Sequence, residues 1–170
     1  MLDTTPLRDA YCALLDAAAA VTDPGQPGPV PPAGEWNADQ ILAHVSIVTA
    51  ATIATASCVA SGTNATYDNR IALNTWTIER LIARAGSQAG LRDRIRRLGD
   101  CLCELGGPAL SEAELGTLVP TLLVSDGAVL VDQLVPLREL MTGLADVELP
   151  THTKQLLSLR PDVARAEAAR

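Results

Sequence analysis

Apolar residues recur along most of the chain at alternating spacings of three and four, so most of it reads as helices that each bury one stripe. Leu7, Tyr11, Leu14, Leu15 and Ala18 form the first stripe, opened by Thr4 or Thr5 as a cap with Pro6 in the first turn. It ends before Asp23-Pro24-Gly25, and the prolines and glycines of residues 23–35 predict a surface loop. Asn37 caps a second helix, down one side of which run Ile41, Val45, Val48, Thr52, Thr55 and Val59. His44 flanks that stripe, which turns it toward the interior rather than toward water.

Gly62 to Tyr67 predicts a turn, after which Asp68 or Asn69 caps a third helix. Its inner side carries Ile71, Asn74, Ile78, Leu81, Ile82 and Ala85, with Asn74 the polar exception and a candidate pocket wall. A fourth helix starts near Ser87, carries Leu91, Ile95, Leu98, Leu102 and Leu105, and stops at Gly106-Gly107-Pro108. Ser111 and Glu114 have the spacing of a capping box. Between Leu118 and Val131 two leucine- and valine-rich runs flank Ser-Asp-Gly, a hairpin signal. Pro136 then opens a fifth helix through Leu137, Leu140, Met141 and Leu144.

Striped helices bury their stripes against one another. The prediction is an all-α fold, an antiparallel four-helix bundle with a short β-hairpin inserted before the last long helix. Residues 1–160 make this one domain, and the Ala-rich segment 161–170 is expected to fray. A chain of 170 residues needs only one core.

Charge narrows the partners. The net charge is −7, and Arg92, Arg94, Arg96 and Arg97 spread around a helix instead of forming a stripe, which argues against nucleic acid. Ile41 to Ala60 holds no charged side chain and raises a membrane span, but alanine, threonine and serine dominate it and it reads as a helix buried in protein. Without a signal-like N-terminal segment, the expected home is a reducing cytoplasm, with Cys12, Cys58, Cys101 and Cys103 as small buried hydrophobes. Cys101 and Cys103, about 200° apart on a helix, cannot share a metal. Lys154 is the only lysine among 13 basic residues, a bias of GC-rich genomes such as those of actinobacteria.

The candidate chemistry sits in "ELPTHTKQLLSLRP", Glu148 to Pro161. If helix runs through it, Glu148 and His152 share one face a turn apart, and Leu144 one turn earlier keeps Glu148 near the inner stripe. Pro150 either kinks this helix or starts a new one. His44, Glu148 and His152 can then converge in the interior as two imidazoles and a carboxylate, a donor set suited to Zn²⁺, Ni²⁺, Fe²⁺ or Mn²⁺. A buried histidine hydrogen-bonded to a carboxylate, with no metal, would leave the same sequence. Trp36, at the mouth of the second helix, anchors the Pro-rich loop or walls a pocket.

Two stretches resemble the DinB/YfiT-like family, which includes mycothiol-dependent maleylpyruvate isomerase-like proteins. "GEWNADQILAHV" resembles its motif of a tryptophan before a helix that presents a metal-binding histidine, matching Trp36 and His44. "ELPTHTKQLLSLRP" resembles its pair of histidines four apart followed by Gln-Leu, matching Glu148, His152, Gln155 and Leu156, with Glu148 where the family has histidine. The resemblance implies a four-helix bundle with a three-histidine divalent-metal site, commonly a homodimer, some members acting as mycothiol- or bacillithiol-dependent transferases or isomerases on small molecules. The alternative is a bundle with a degenerate site that binds an apolar small molecule or only dimerises.

Overall fold

The computed structural model describes residues 1–21, 31 and 34–160, so the expectations of a frayed tail over 161–170 and, for the most part, of a loop over 23–35 lie outside the described residues. Eight α-helices are described: α1 (Thr5–Val21), α2 (Ala38–Ala60), α3 (Arg70–Leu73), α4 (Thr75–Ala85), α5 (Gln88–Glu104), α6 (Glu112–Leu115), α7 (Leu137–Gly143) and α8 (Leu149–Ser158). The strands are β1 (Tyr67–Asp68), β2 (Leu118–Ser125) and β3 (Ala128–Pro136). The chain is thus mostly helical with one small sheet. α1 packs on α5 and α8, while α2 packs on α4 and α5. Leu14, Ile41, Leu91, Leu102, Met141 and Leu156 fill the space between them.

Local signals explain the boundaries. The Asn37 side chain accepts from the Gln40 N–H while Gln40 accepts from the Asn37 N–H, a reciprocal cap that starts α2. Ser111 and Glu114 do the same for α6. Along α2 residues 41–46 are buried without a break, so His44 enters the core with its neighbours. The helix is long and apolar enough to cross a membrane, at a mean hydropathy of 1.7, yet 61% of that window is buried in the protein. It is a core helix.

Four expectations are corrected. Asn74 does not ride an inner stripe: it breaks the third helix into α3 and α4 and caps α4, its Oδ1 accepting from the Thr77 N–H. The break rotates Ile71 outward to 55% exposure. The end of the 62–67 turn is a strand, since β1 pairs in parallel with β2, Tyr67 opposite Thr121. Cys12 and Cys101 are exposed and Cys58 is half-buried, leaving only Cys103 as a buried thiol, and all four are free. Cys12 sits off the Leu7–Tyr11–Leu14 face that α1 buries.

β2 and β3 form the hairpin the Asp-Gly pair announces, Asp126 and Gly127 both taking positive φ, 50° and 77°. Pro136 caps α7. Where Pro150 denies α8 an amide, the chain widens into a π-helical turn over Leu144–Glu148, closed by the Leu149 N–H on the Leu144 carbonyl. That turn sets Glu148 against the interior.

Candidate metal centre

Two adjoining elements near the C-terminal end of the described chain meet a third from about a hundred residues earlier. α2 contributes His44, the π-turn Glu148 and α8 His152, and their ligand atoms all lie within 4.8 Å of one another. Both imidazoles are buried, while the Glu148 side chain keeps 33% of its surface exposed. Solvent therefore reaches the cluster from the carboxylate side.

Each imidazole is oriented through its other nitrogen. The His44 Nδ1–H donates to the Ala72 carbonyl at 2.9 Å, and the His152 Nδ1–H donates to Gln155 Oε1 at 2.7 Å. With one proton per ring, both Nε2 atoms carry lone pairs, and both face the same oxygen: Glu148 Oε1 lies 2.9 Å from His44 Nε2 and 3.3 Å from His152 Nε2. Two lone pairs aimed at one carboxylate oxygen repel unless positive charge stands among them. A proton on each Nε2, or one cation shared by all three, supplies it. Bonds of ~2.0–2.2 Å from one ion to N and O ligands place those ligands roughly 2.9–3.4 Å apart when they are neighbours, the range of the two Glu148 contacts, within a set that spans up to 4.8 Å. The pattern of ring N–H groups fixed by carbonyl oxygens is also the usual support of metal-bound histidine.

Electrostatics at Glu148 agree with this. Burial pushes its carboxyl upward, but hydrogen bonds from His152 and His44 and the attraction of both rings outweigh it and hold the group well below the usual carboxylate range. The carboxylate is ionised at neutral pH.

Trp36 covers the two rings. Its ring centroid lies 4.8 Å from that of His44, tilted by 49°, and 6.4 Å from that of His152 in a near-parallel stack of 16°. The imidazoles themselves meet edge to face at 4.7 Å. Of the five residues singled out in the sequence, Trp36, His44, Glu148 and His152 come together, whereas the exposed Asn74 side chain is engaged in capping α4.

Two tyrosines are buried as well, Tyr11 on the first stripe and Tyr67 at the end of the expected turn. The Tyr11 hydroxyl bonds Thr49 Oγ1 at 2.8 Å, and because Thr49 donates to the Val45 carbonyl, the tyrosine is the donor. Burial pushes Tyr11 above its ordinary value and Tyr67 up to about 12, and the charge of Glu148 adds to both. Tyr11 lay visible on the first stripe, but Tyr67 had no signal beyond its place in an apparent turn. No family model, no curated protein and no solved structure matches this chain.

Proposed function

We propose that the chain is a DinB-like antiparallel four-helix bundle in which His44, Glu148 and His152 hold one divalent cation, and that it transfers or isomerises a small electrophilic molecule with a low-molecular-weight thiol. The observation that carries metal binding is the meeting of both Nε2 atoms on Glu148 Oε1 while both Nδ1 atoms are engaged by carbonyl oxygens. Bound Zn²⁺, Ni²⁺, Fe²⁺ or Mn²⁺ supplies Lewis acidity that favours a thiolate over a thiol. The thiol and the reaction class rest on the motif resemblance, as does a reducing cytoplasm on the four free cysteines.

The residues divide the work. Ala72 and Gln155 aim the two rings, Glu148 brings a single negative charge, and Trp36 closes one side with an apolar wall. A dication on this set keeps a net positive charge, enough to attract an anionic sulfur or oxygen arriving from the open carboxylate side. A carboxylate in place of a third imidazole makes the donor set harder, which moves its preference toward Fe²⁺ and Mn²⁺.

Metal analysis after purification without chelator tests the reading. About one equivalent per chain is expected in the wild type and little in His44→Ala and His152→Ala; unchanged metal content in both variants sinks it. A second reading has its own support: no buried side-chain nitrogen or oxygen among the described residues lacks a hydrogen-bond partner. In that reading protons hold the cluster, the bundle is non-catalytic, and the wild type carries no metal.

A further inference from the structure

The open edge of the sheet lies outside the metal centre's chemistry. β3 ends the strand order β1-β2-β3, so one side of it has no strand neighbour among the described residues. Which backbone groups face that side follows from two hydrogen bonds. The Leu137 N–H donates to the Thr117 carbonyl just beyond the Leu118–Pro136 pair, and the Leu122 carbonyl accepts from the Asn69 N–H on the β1 side. Alternation then makes Val119–Val135 and Thr121–Gln133 the bonded pairs of the hairpin. Asp132 and Leu134 are left with N–H and C=O turned toward the open edge.

Apart from a bulge at Leu130 and the carboxylate of Asp132, this edge carries little of the usual protection. From Leu118 to Pro136 there is no lysine or arginine, Asp126 and Asp132 are the only charges, and no proline interrupts 128–135. Val129, Leu130 and Leu134 are 61%, 66% and 57% exposed. An uncovered strand of this kind is a template for another strand.

We propose that a second copy of this chain pairs antiparallel along β3, across a two-fold axis at Gln133, joining two three-stranded sheets into one of six. A chain of net charge −7 meets its own copy with less repulsion where charge is sparse, and the ribbon from Leu118 to Pro136 carries only two charges. Two carboxylates are too few to recruit a basic partner, whereas an antiparallel edge is complementary to itself under a two-fold. The register follows from charge and hydrogen bonding together. An axis at Asp132 would set two carboxylates directly opposite each other, which is unfavourable. An axis at Gln133 sets Asp132 against the partner's Leu134, so both edge-facing residues enter bonded pairs and the two Asp132 side chains stand apart. Gln133 then faces the partner's Gln133 as a non-bonded pair, with Cα atoms ~4.5 Å apart.

That separation suits a disulfide, which gives a direct test. In a Cys12→Ser, Cys101→Ser background, Gln133→Cys is expected to cross-link to a dimer under mild oxidation. By sedimentation the wild type is expected to be a dimer at tens of micromolar, and Leu134→Pro, which deletes one edge-facing N–H and none of the β2 ladder, weakens association by at least ~10-fold with metal content and helical circular dichroism unchanged. A monomeric wild type overturns the proposal. So does a Leu134→Pro variant that still dimerises as tightly, or a Gln133→Cys chain that stays uncross-linked, the last requiring no change in the backbone at all.

Discussion

His44 and Glu148, 104 positions apart in the chain, meet with Nε2 and Oε1 2.9 Å apart while the His44 Nδ1 is bonded to the Ala72 carbonyl. The pairing makes the carboxylate an acceptor with no proton of its own to offer. Whatever positive charge joins the two atoms comes from a protonated ring or from a cation, and the acid–base behaviour of Glu148 follows from that.

In chelator-treated protein, acid should destabilise the fold through Glu148. Its folded-state carboxyl titrates below the ordinary 4.5, so folding favours the ionised form. The contribution is complete above about 4.5 and is lost as pH falls through the lower folded value. Thermal melts of wild type between roughly pH 5 and 3 are expected to drop more steeply than those of Glu148→Gln, which has no such proton to bind. Equal slopes would mean that the His–Glu contacts contribute nothing in solution.

How much of this was legible in the sequence depended on how local each cause was. The Asn37 cap, the Ser111–Glu114 box and the Asp126-Gly127 turn are decided within three residues, and they stand where the sequence puts them. His44, Glu148 and His152 were found because helical spacing and flanking leucines fix the face of each. The parallel pairing of Tyr67 with Thr121 is decided by two distant segments, so β1 passed for a turn. Asn74 misled for a different reason: helical spacing continues on both sides of it, and only its competition for a backbone N–H reveals a cap. The π-turn before Pro150 resolves a conflict the sequence displayed but left open, kink or restart, by widening one turn and then restarting.

The tyrosines offer an alkaline counterpart. Tyr11 and Tyr67 are the chain's only two and both are buried. Desolvation raises both, Tyr67 to about 12, so the folded state favours the neutral phenols. Their contribution is intact below the ordinary value of 10.0 and lost as pH climbs through the folded values. Ultraviolet titration should show no phenolate in the native protein near pH 10 and a full two-tyrosine step there in denaturant. A native step at 10 would show that the phenols are open to water.

Gly99 carries a packing constraint that opposes its helix propensity. Gly to Ala within a helix ordinarily stabilises by about 1 kcal/mol. Here α5 buries Gly99 against Tyr11, and an added Cβ would stand 3.0 Å from the ring's Cγ and Cδ2. The ring cannot yield without straining its hydroxyl bond to Thr49. Gly99→Ala is therefore expected to destabilise by about 1–3 kcal/mol in chemical denaturation; a gain in stability would show that α1 slides freely over α5.

Gln155 separates a metal centre from a proton-held cluster better than any ligand does. It is exposed, and its one described link to the centre is the acceptor it gives to His152 Nδ1–H at 2.7 Å. Gln155→Leu removes that acceptor and should weaken metal affinity by ~10–100-fold in competition titrations, with stability of the metal-free protein changed by no more than about 0.5 kcal/mol. Gln155→Glu should act in the opposite direction, because a carboxylate accepts the Nδ1 proton more strongly and makes Nε2 a better donor to a cation. Opposite signs for two substitutions at one exposed position are what a ligand-orienting role requires, whereas a cluster held by protons leaves no metal affinity for either substitution to change.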